Sequence, residues 1–310
     1  MRGLMMVRIE SRRQGMMRRF LALFVVLGMM VPAAASAEVK IGIAMAKLNQ
    51  GFLTLLHDAL VEHANSKSDM SYKLTMADGD PAKQIEKIKE FIKSGVNTII
   101  FHPADSDMTE EVNQLAADAG VPLVYVNRTP PQLKFPGKVA IVTSNELVAG
   151  CVQMRMLASL VNGQGKMVLL HGGADHPAAK ARTEGVKEIL AEKPGIEVIH
   201  EPMANRDRAE AEAIMSGLLA KGARPDIIAC NNDEMAIGAI NAYKKARVSL
   251  DDVVIGGTDG TPAALAEIEA GTLEVSLFQM PTSRPNAPWR MPISWQPANM
   301  RSSSTGCLTS

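Results

Sequence analysis

Amide, carboxylate, guanidinium and imidazole side chains recur along this chain directly after short apolar runs. Asn49, Gln50 and Phe52 follow the first such run, His102 to Asp105 the third, and Asn127 with Arg128 the fourth; His176 with Arg182, Asn232 with Asp233, Asp259 and Gln279 follow in the second half. Planar amides, carboxylates and guanidinium groups can each satisfy two adjacent hydroxyls, and an aromatic ring such as Phe52 can cover an apolar C–H face. Together they suit a small polyhydroxylated ligand. Each residue also has a plainer reading. Asp259 can end a strand in its Asp-Gly turn, Asn232 and Asp233 can be helix caps, and Arg182 can lie on a solvated helix face.

The apolar runs are β-branched and alternate with helical stretches about fifteen residues long, the pattern of a parallel sheet with crossover helices. In the first half, strands are expected at 39–45, 72–77, 98–101, 123–126 and 139–142, with helices at 52–66, 82–94, 108–119 and 146–162. In the second, strands fall at 167–170, 197–200, 227–230, 253–255 and 274–278, with helices at 178–192, 207–221, 234–246 and 262–270. Asp80 should cap a helix with Pro81 at its first position, Asp107 and Glu110 spell a capping box, and Gly95 and Gly120 sit where helices should stop. The fold class is α/β: two doubly wound parallel-sheet lobes, 38–143 and 144–279, joined near Thr143 to Glu146. Ligands of such sheets bind beyond the carboxyl ends of the strands, where the polar residues above are placed.

Both ends of the chain differ from this body. Residues 1–37 hold six arginines, an apolar core from Phe20 to Val31 and the small-residue site Ala35-Ser36-Ala37, an export signal cleaved after Ala37. That core is nearer twelve residues than the ~18–20 a membrane span needs. Arg12-Arg13 fits a twin-arginine signal poorly, and Met16 or Met17 is a candidate true start. Residues 280–310 hold five prolines, both tryptophans and no acid, without helical or strand period: an irregular tail, either an extension or a replacement of the natural ending by frameshift or truncation. The stretch between the two ends carries 24 basic and 32 acidic residues, an unsuitable surface for nucleic acid. Three cysteines cannot all pair within one chain; Cys151 and Cys230 read as buried small apolar residues.

Catalysis finds no support. No Gly-x-Gly-x-x-Gly follows the first strand, and neither a Gly-rich loop ending in Lys-Ser/Thr nor a nucleophile elbow occurs. The histidines show no metal-ligand spacing.

The segments His176-Pro177-Ala178-Ala179-Lys180-Ala181-Arg182-Thr183-Glu184-Gly185, Asn231-Asn232-Asp233-Glu234-Met235-Ala236 and Gly256-Gly257-Thr258-Asp259-Gly260-Thr261-Pro262 resemble the ribose/galactose-type periplasmic binding proteins. So do Leu48-Asn49-Gln50-Gly51-Phe52 and Asp105-Ser106-Asp107, and the resemblance runs in order from Val39 to Gln279. It implies a periplasmic, cofactor-free and usually monomeric receptor whose lobes close on a hinge over a sugar, cyclitol or sugar acid. The receptor would then engage an inner-membrane ABC permease, and in some cases a chemoreceptor. The matching ligand positions are Asn49 or Gln50, Phe52, Asn127, Arg128, Arg182, Asn232, Asp259 and Gln279.

Three departures stand out: Asn127 where many members have aspartate, Arg206 where many have an aromatic ring, and Ala178 where glucose-type members have aspartate. Each removes negative charge or adds positive charge. One reading is an anionic ligand with Arg128, Arg182 and Arg206 as counter-ions; the other is a neutral pentose, hexose or cyclitol. Related chains also cross back to the first lobe after the position of Gln279, and the tail does not resemble that ending. A sugar-responsive repressor shares this fold, but carries a DNA-reading helix-turn-helix where this chain has its apolar export segment.

Overall fold

The computed structural model describes residues 38–48 and 51–280; the expected export signal, Asn49, Gln50 and the tail beyond Met280 lie outside them. Two five-stranded sheets follow one another along the chain, and every strand pair in both is parallel. The first contains β1 (Val39–Met45), β2 (Met70–Met76), β3 (Thr98–His102), β4 (Leu123–Val126) and β5 (Val139–Val142), in the order β2-β1-β3-β4-β5. Its helices are α1 (Phe52–Asn65), α2 (Pro81–Lys93) and α3 (Thr109–Asp118).

The second sheet contains β6 (Gly165–Leu170), β7 (Ile196–His200), β8 (Ile227–Cys230), β9 (Val254–Asp259) and β10 (Val275–Phe278), in the order β10-β9-β8-β6-β7. Its helices are α4 (Glu146–Leu160), α5 (Pro177–Ala191), α6 (Arg208–Ala220), α7 (Asp233–Ala246) and α8 (Pro262–Glu269). Two apolar clusters, one around Ile228, Ile240 and Tyr243 and one around Leu157, Leu169 and Ile189, form the core of this lobe. In the first lobe the cluster around Phe101 and Tyr125 is more deeply buried than that around Ile43 and Leu56, and the edge strand β5 leaves Val142 61% exposed.

Local chemistry explains most boundaries. Asp80 Oδ1 accepts from the N–H groups of Ala82 and Lys83 at 2.9 and 3.1 Å, with Pro81 at the first helical position. Gly95 and Gly120 take positive φ and end α2 and α3, each followed by a backbone bond from Val96 to Phe91 or from Val121 to Ala116.

Two expectations are corrected. The Asp107–Glu110 capping box does not form: Met108 holds the N-cap position without a side-chain cap, and the Asp107 N–H donates instead to Asp105 Oδ1 at 2.6 Å. The strand expected at 253–255 runs on through two glycines to Asp259. Gly256 and Gly257 are not turn residues. A Cβ on them would stand 2.9 Å from Leu157 and 2.5 Å from Asp233, so bare backbone is what lets α4 and α7 approach this strand.

Cys230 is a buried free thiol. Cys151 is buried too, in the core of the second lobe.

Candidate binding cleft

The carboxyl ends of the two sheets face a common cavity of about 270 Å³, close to the lower end of the ~300–1,000 Å³ seen for small-molecule clefts. The first lobe contributes Phe52, His102, Asn127 and Arg128; the second contributes His176, Arg182, Asn205, Arg206, Asn232, Asp259 and Gln279. The described candidates Phe52, Asn127, Arg128, His176, Arg182, Arg206, Asn232, Asp259 and Gln279 all line this one cavity, whereas Asp105 and Asp233 do not. Among the described residues, four of the seven non-glycine residues with positive φ line it as well: Asn127, Asn205, Arg206 and Asp259. Such backbone is costly and persists where the surroundings over-determine it, as at ligand clamps.

Arg182 is the centre of the second lobe's contribution. Its Nε donates to Glu146 Oε2 at 2.6 Å and its Nη1 to the Asn231 carbonyl at 2.5 Å, with Asp259 Oδ1 3.5 Å away. It is buried, so the solvated-face reading does not hold. Gln279 Nε2 donates to the same Asp259 oxygen at 3.0 Å. Burial drives the Asp259 carboxyl well above the ordinary carboxylate range, Arg182 opposing.

Asn232 serves two ends: its Oδ1 caps α7 by accepting from the Met235 N–H at 3.2 Å, while its side chain also lines the cleft. Asp233 and Asn231, by contrast, are braces. Asp233 accepts from the Thr261 N–H at 2.8 Å and the Ser276 hydroxyl at 2.6 Å, which fixes the turn after Asp259. Asn231 Oδ1 accepts from the Gly172 N–H at 2.8 Å and the Thr183 hydroxyl at 3.1 Å.

Across the cavity, Arg128 donates to the Ala104 carbonyl at 2.8 Å, to Ser106 Oγ at 3.2 Å and to the Asp175 carbonyl of the second lobe at 3.4 Å. Arg206 donates to the Gly172 carbonyl. Both imidazoles are neutral at ordinary pH: burial, then the charges of Arg128 and Arg206, lower His102 to about 3. Burial and the same two arginines, Arg206 first, lower His176 to about 2.

Several supporting residues escaped sequence reasoning. Gln84 and Gln153 are matched clamps, one in each lobe. Gln84 Nε2 donates to the His102 carbonyl at 2.9 Å and Gln153 Nε2 to those of Cys230 and Gly257 at 2.8 and 2.9 Å, which ties strand ends together beneath the cleft. Arg208 forms a two-point ion pair with Glu234 at 2.8 and 3.0 Å. Among the described residues no group of three His, Cys, Asp or Glu side chains is placed to hold a metal ion.

Comparison with known proteins agrees with this geometry. Residues 41–288 match the family described as periplasmic binding protein domain. A Rhizobium meliloti protein named for rhizopine binding is 42% identical over 266 residues, 85% of each chain. The ribose import binding protein of Escherichia coli is 28% identical over 83% of this chain and 84% of its own. Among solved structures, an ABC transporter solute-binding protein from Bacillus halodurans with bound myo-inositol superposes with a TM-score of 0.74, at 34% identity, over 79% of this chain and 84% of that one.

Proposed function

The chain belongs to the periplasmic binding protein family and is a solute receptor of the ABC-importer type, not an enzyme; on that premise we propose that its ligand is a cyclitol-class polyol held between the two lobes. The observation that carries this reading is the buried group of Arg182, Asp259 and Gln279 facing Phe52, Asn127 and Arg128 across one cavity. Asp259, Asn127 and Asn232 bind ring hydroxyls, the guanidinium of Arg182 donates to the same hydroxyls, and the Phe52 ring covers the C–H face. Asn49 or Gln50 completes the first lobe's share. The myo-inositol in the Bacillus halodurans relative is a ligand of the proposed class.

The receptor reaches the periplasm through residues 1–37, acts as a monomer without a cofactor, and closes on its ligand by a hinge where the chain passes between lobes. The closed form is recognised by an inner-membrane permease, and the same surface is available to a chemoreceptor. The effector-domain reading is not favoured, since the named relatives are binding and import proteins.

Thermal unfolding of the full chain against neutral pentoses, hexoses and cyclitols tests the proposal. A ligand at a hundred times its dissociation constant stabilises the native state by about 2.7 kcal/mol. The expected result is a shift with a cyclitol that Asp259→Asn abolishes. A panel that leaves the transition unmoved overturns the polyol reading.

A further inference from the structure

We propose, resting on the polyol-receptor reading, that Arg128 and Arg206 form an anion subsite, so that the preferred polyol carries a carboxylate or phosphate group. Charge pairing around the cleft singles these two out. Arg182 is balanced by Glu146 at 2.6 Å and faces Asp259, and Arg208 is balanced by Glu234 at 2.8 Å. Arg128 and Arg206 form no ion pair among the described residues. Arg128 meets two carbonyls and a hydroxyl, and Arg206 meets one carbonyl. Asp105, Asp107 and Asp175 influence Arg128, and Asp259 influences Arg206, but none of them pairs with either. A guanidinium cannot shed its charge as a lysine can, and a buried cation is stable only when something compensates it.

The two side chains come from opposite lobes to one short loop. Arg128 reaches the carbonyl of Asp175 and Arg206 that of Gly172. The geometry is built for this. Asn205 and Arg206 are both left-handed, at φ of 47° and 63°, and a Cβ on Gly173 would stand 2.8 Å from Arg206 Nη1. Arg128 Nε and the Nδ1 atoms of His102 and His176 are buried there without a partner. Neutral imidazoles can donate to an anion at no charge cost. Burial and the neighbouring Arg128 and Arg182 also bring Arg206 down to about 10, a repulsion that an anion between the two would relieve.

The test is calorimetric titration of the full chain with myo-inositol and glucose beside myo-inositol 1-phosphate and glucuronate, with inorganic phosphate as a fifth arm. One or both acidic polyols should bind about ten-fold or more tighter than the neutral parent, the advantage shrinking with added salt. The phosphate and carboxylate arms identify which acid is read. Arg206→Gln should bring the acid-to-neutral ratio to near one. If that variant fails to fold, the salt dependence of the wild-type ratio decides. Neutral polyols binding as tightly as both acids would overturn the anion subsite alone, as would inorganic phosphate binding as tightly as the acidic polyols. Failure of every polyol, neutral or acidic, would overturn the polyol reading beneath it.

Discussion

Arg182 Nε and Glu146 Oε2 lie 2.6 Å apart with both side chains less than a tenth exposed, 7% and 8%. Glu146 opens α4, just past the first sheet, and Gln279 follows the last strand of the second; both reach the Arg182–Asp259 pair. The two points where the chain leaves a sheet are therefore wired to the cleft. Arg182→Met would strand two buried carboxylates, a loss of about 3–5 kcal/mol for breaking a buried pair. Urea denaturation of the ligand-free protein measures it, and a loss under ~1 kcal/mol would show that the carboxylates find other partners or take up protons.

The helices carrying that pair cross at glycines. A Cβ on Gly150 would fall 2.0 Å from the Arg182 carbonyl, and one on Gly185 would fall 2.1 Å from that of Leu147. Backbone cannot yield as a side-chain tip can, so α4 and α5 must separate. Gly150→Ala or Gly185→Ala is expected to cost about 1–3 kcal/mol or more, despite alanine's higher helix propensity. Because the shift moves Glu146 against Arg182, ligand affinity should fall as well. A thermal midpoint at or above wild type for either variant would contradict the close approach.

Residues of single, local purpose were the legible ones. Asp80 before Pro81 reads as a cap because its carboxylate has one nearby use, and β-branched runs such as Ile227 to Cys230 read as strands because they are buried on both faces. The polar positions after each strand were found because a parallel sheet can present a ligand only at its carboxyl edge. What failed depended on partners distant in sequence. Gln84 and Gln153 sit among helix residues and carry no mark of clamping strand ends, and the strand that ends at Asp259 reads as stopping at Ile255 because nothing near Gly256-Gly257 in sequence shows Leu157 and Asp233 packed against it. Glu146 reads as an ordinary first-turn acid, although its partner lies 36 residues away.

Acid should weaken the fold through the cleft histidines. With folded values of about 3 for His102 and about 2 for His176, the unfolded chain binds more protons than the native one below pH ~6.5. Their contribution is complete above that pH and is lost as the pH falls toward the folded values, at up to about 1.4 kcal/mol per unit and histidine. Asp259 and Asp233, whose values burial raises, act in the opposite sense. The check is therefore a difference. Between pH 7.5 and 5.5, wild type should lose about 1 kcal/mol more than His102→Gln; equal losses would mean that His102 is not held neutral.

Cys230 offers a reporter of the same strand ends. Burial, aided by the nearby Asp233, pushes its thiol well up, and the thiolate is the reacting form. Its carbonyl accepts from Gln153, and the next two residues are Asn231 and Asn232, so exposing the sulfur requires this edge of the cleft to open. Iodoacetamide at pH 8 should leave the Cys230 peptide unmodified in native buffer and modify it in urea, as read by peptide mass spectrometry. A cleft ligand should slow labelling at intermediate urea, because it binds only the closed edge. Rapid labelling in native buffer would place this edge at the low end of local stability and argue against a pre-formed site.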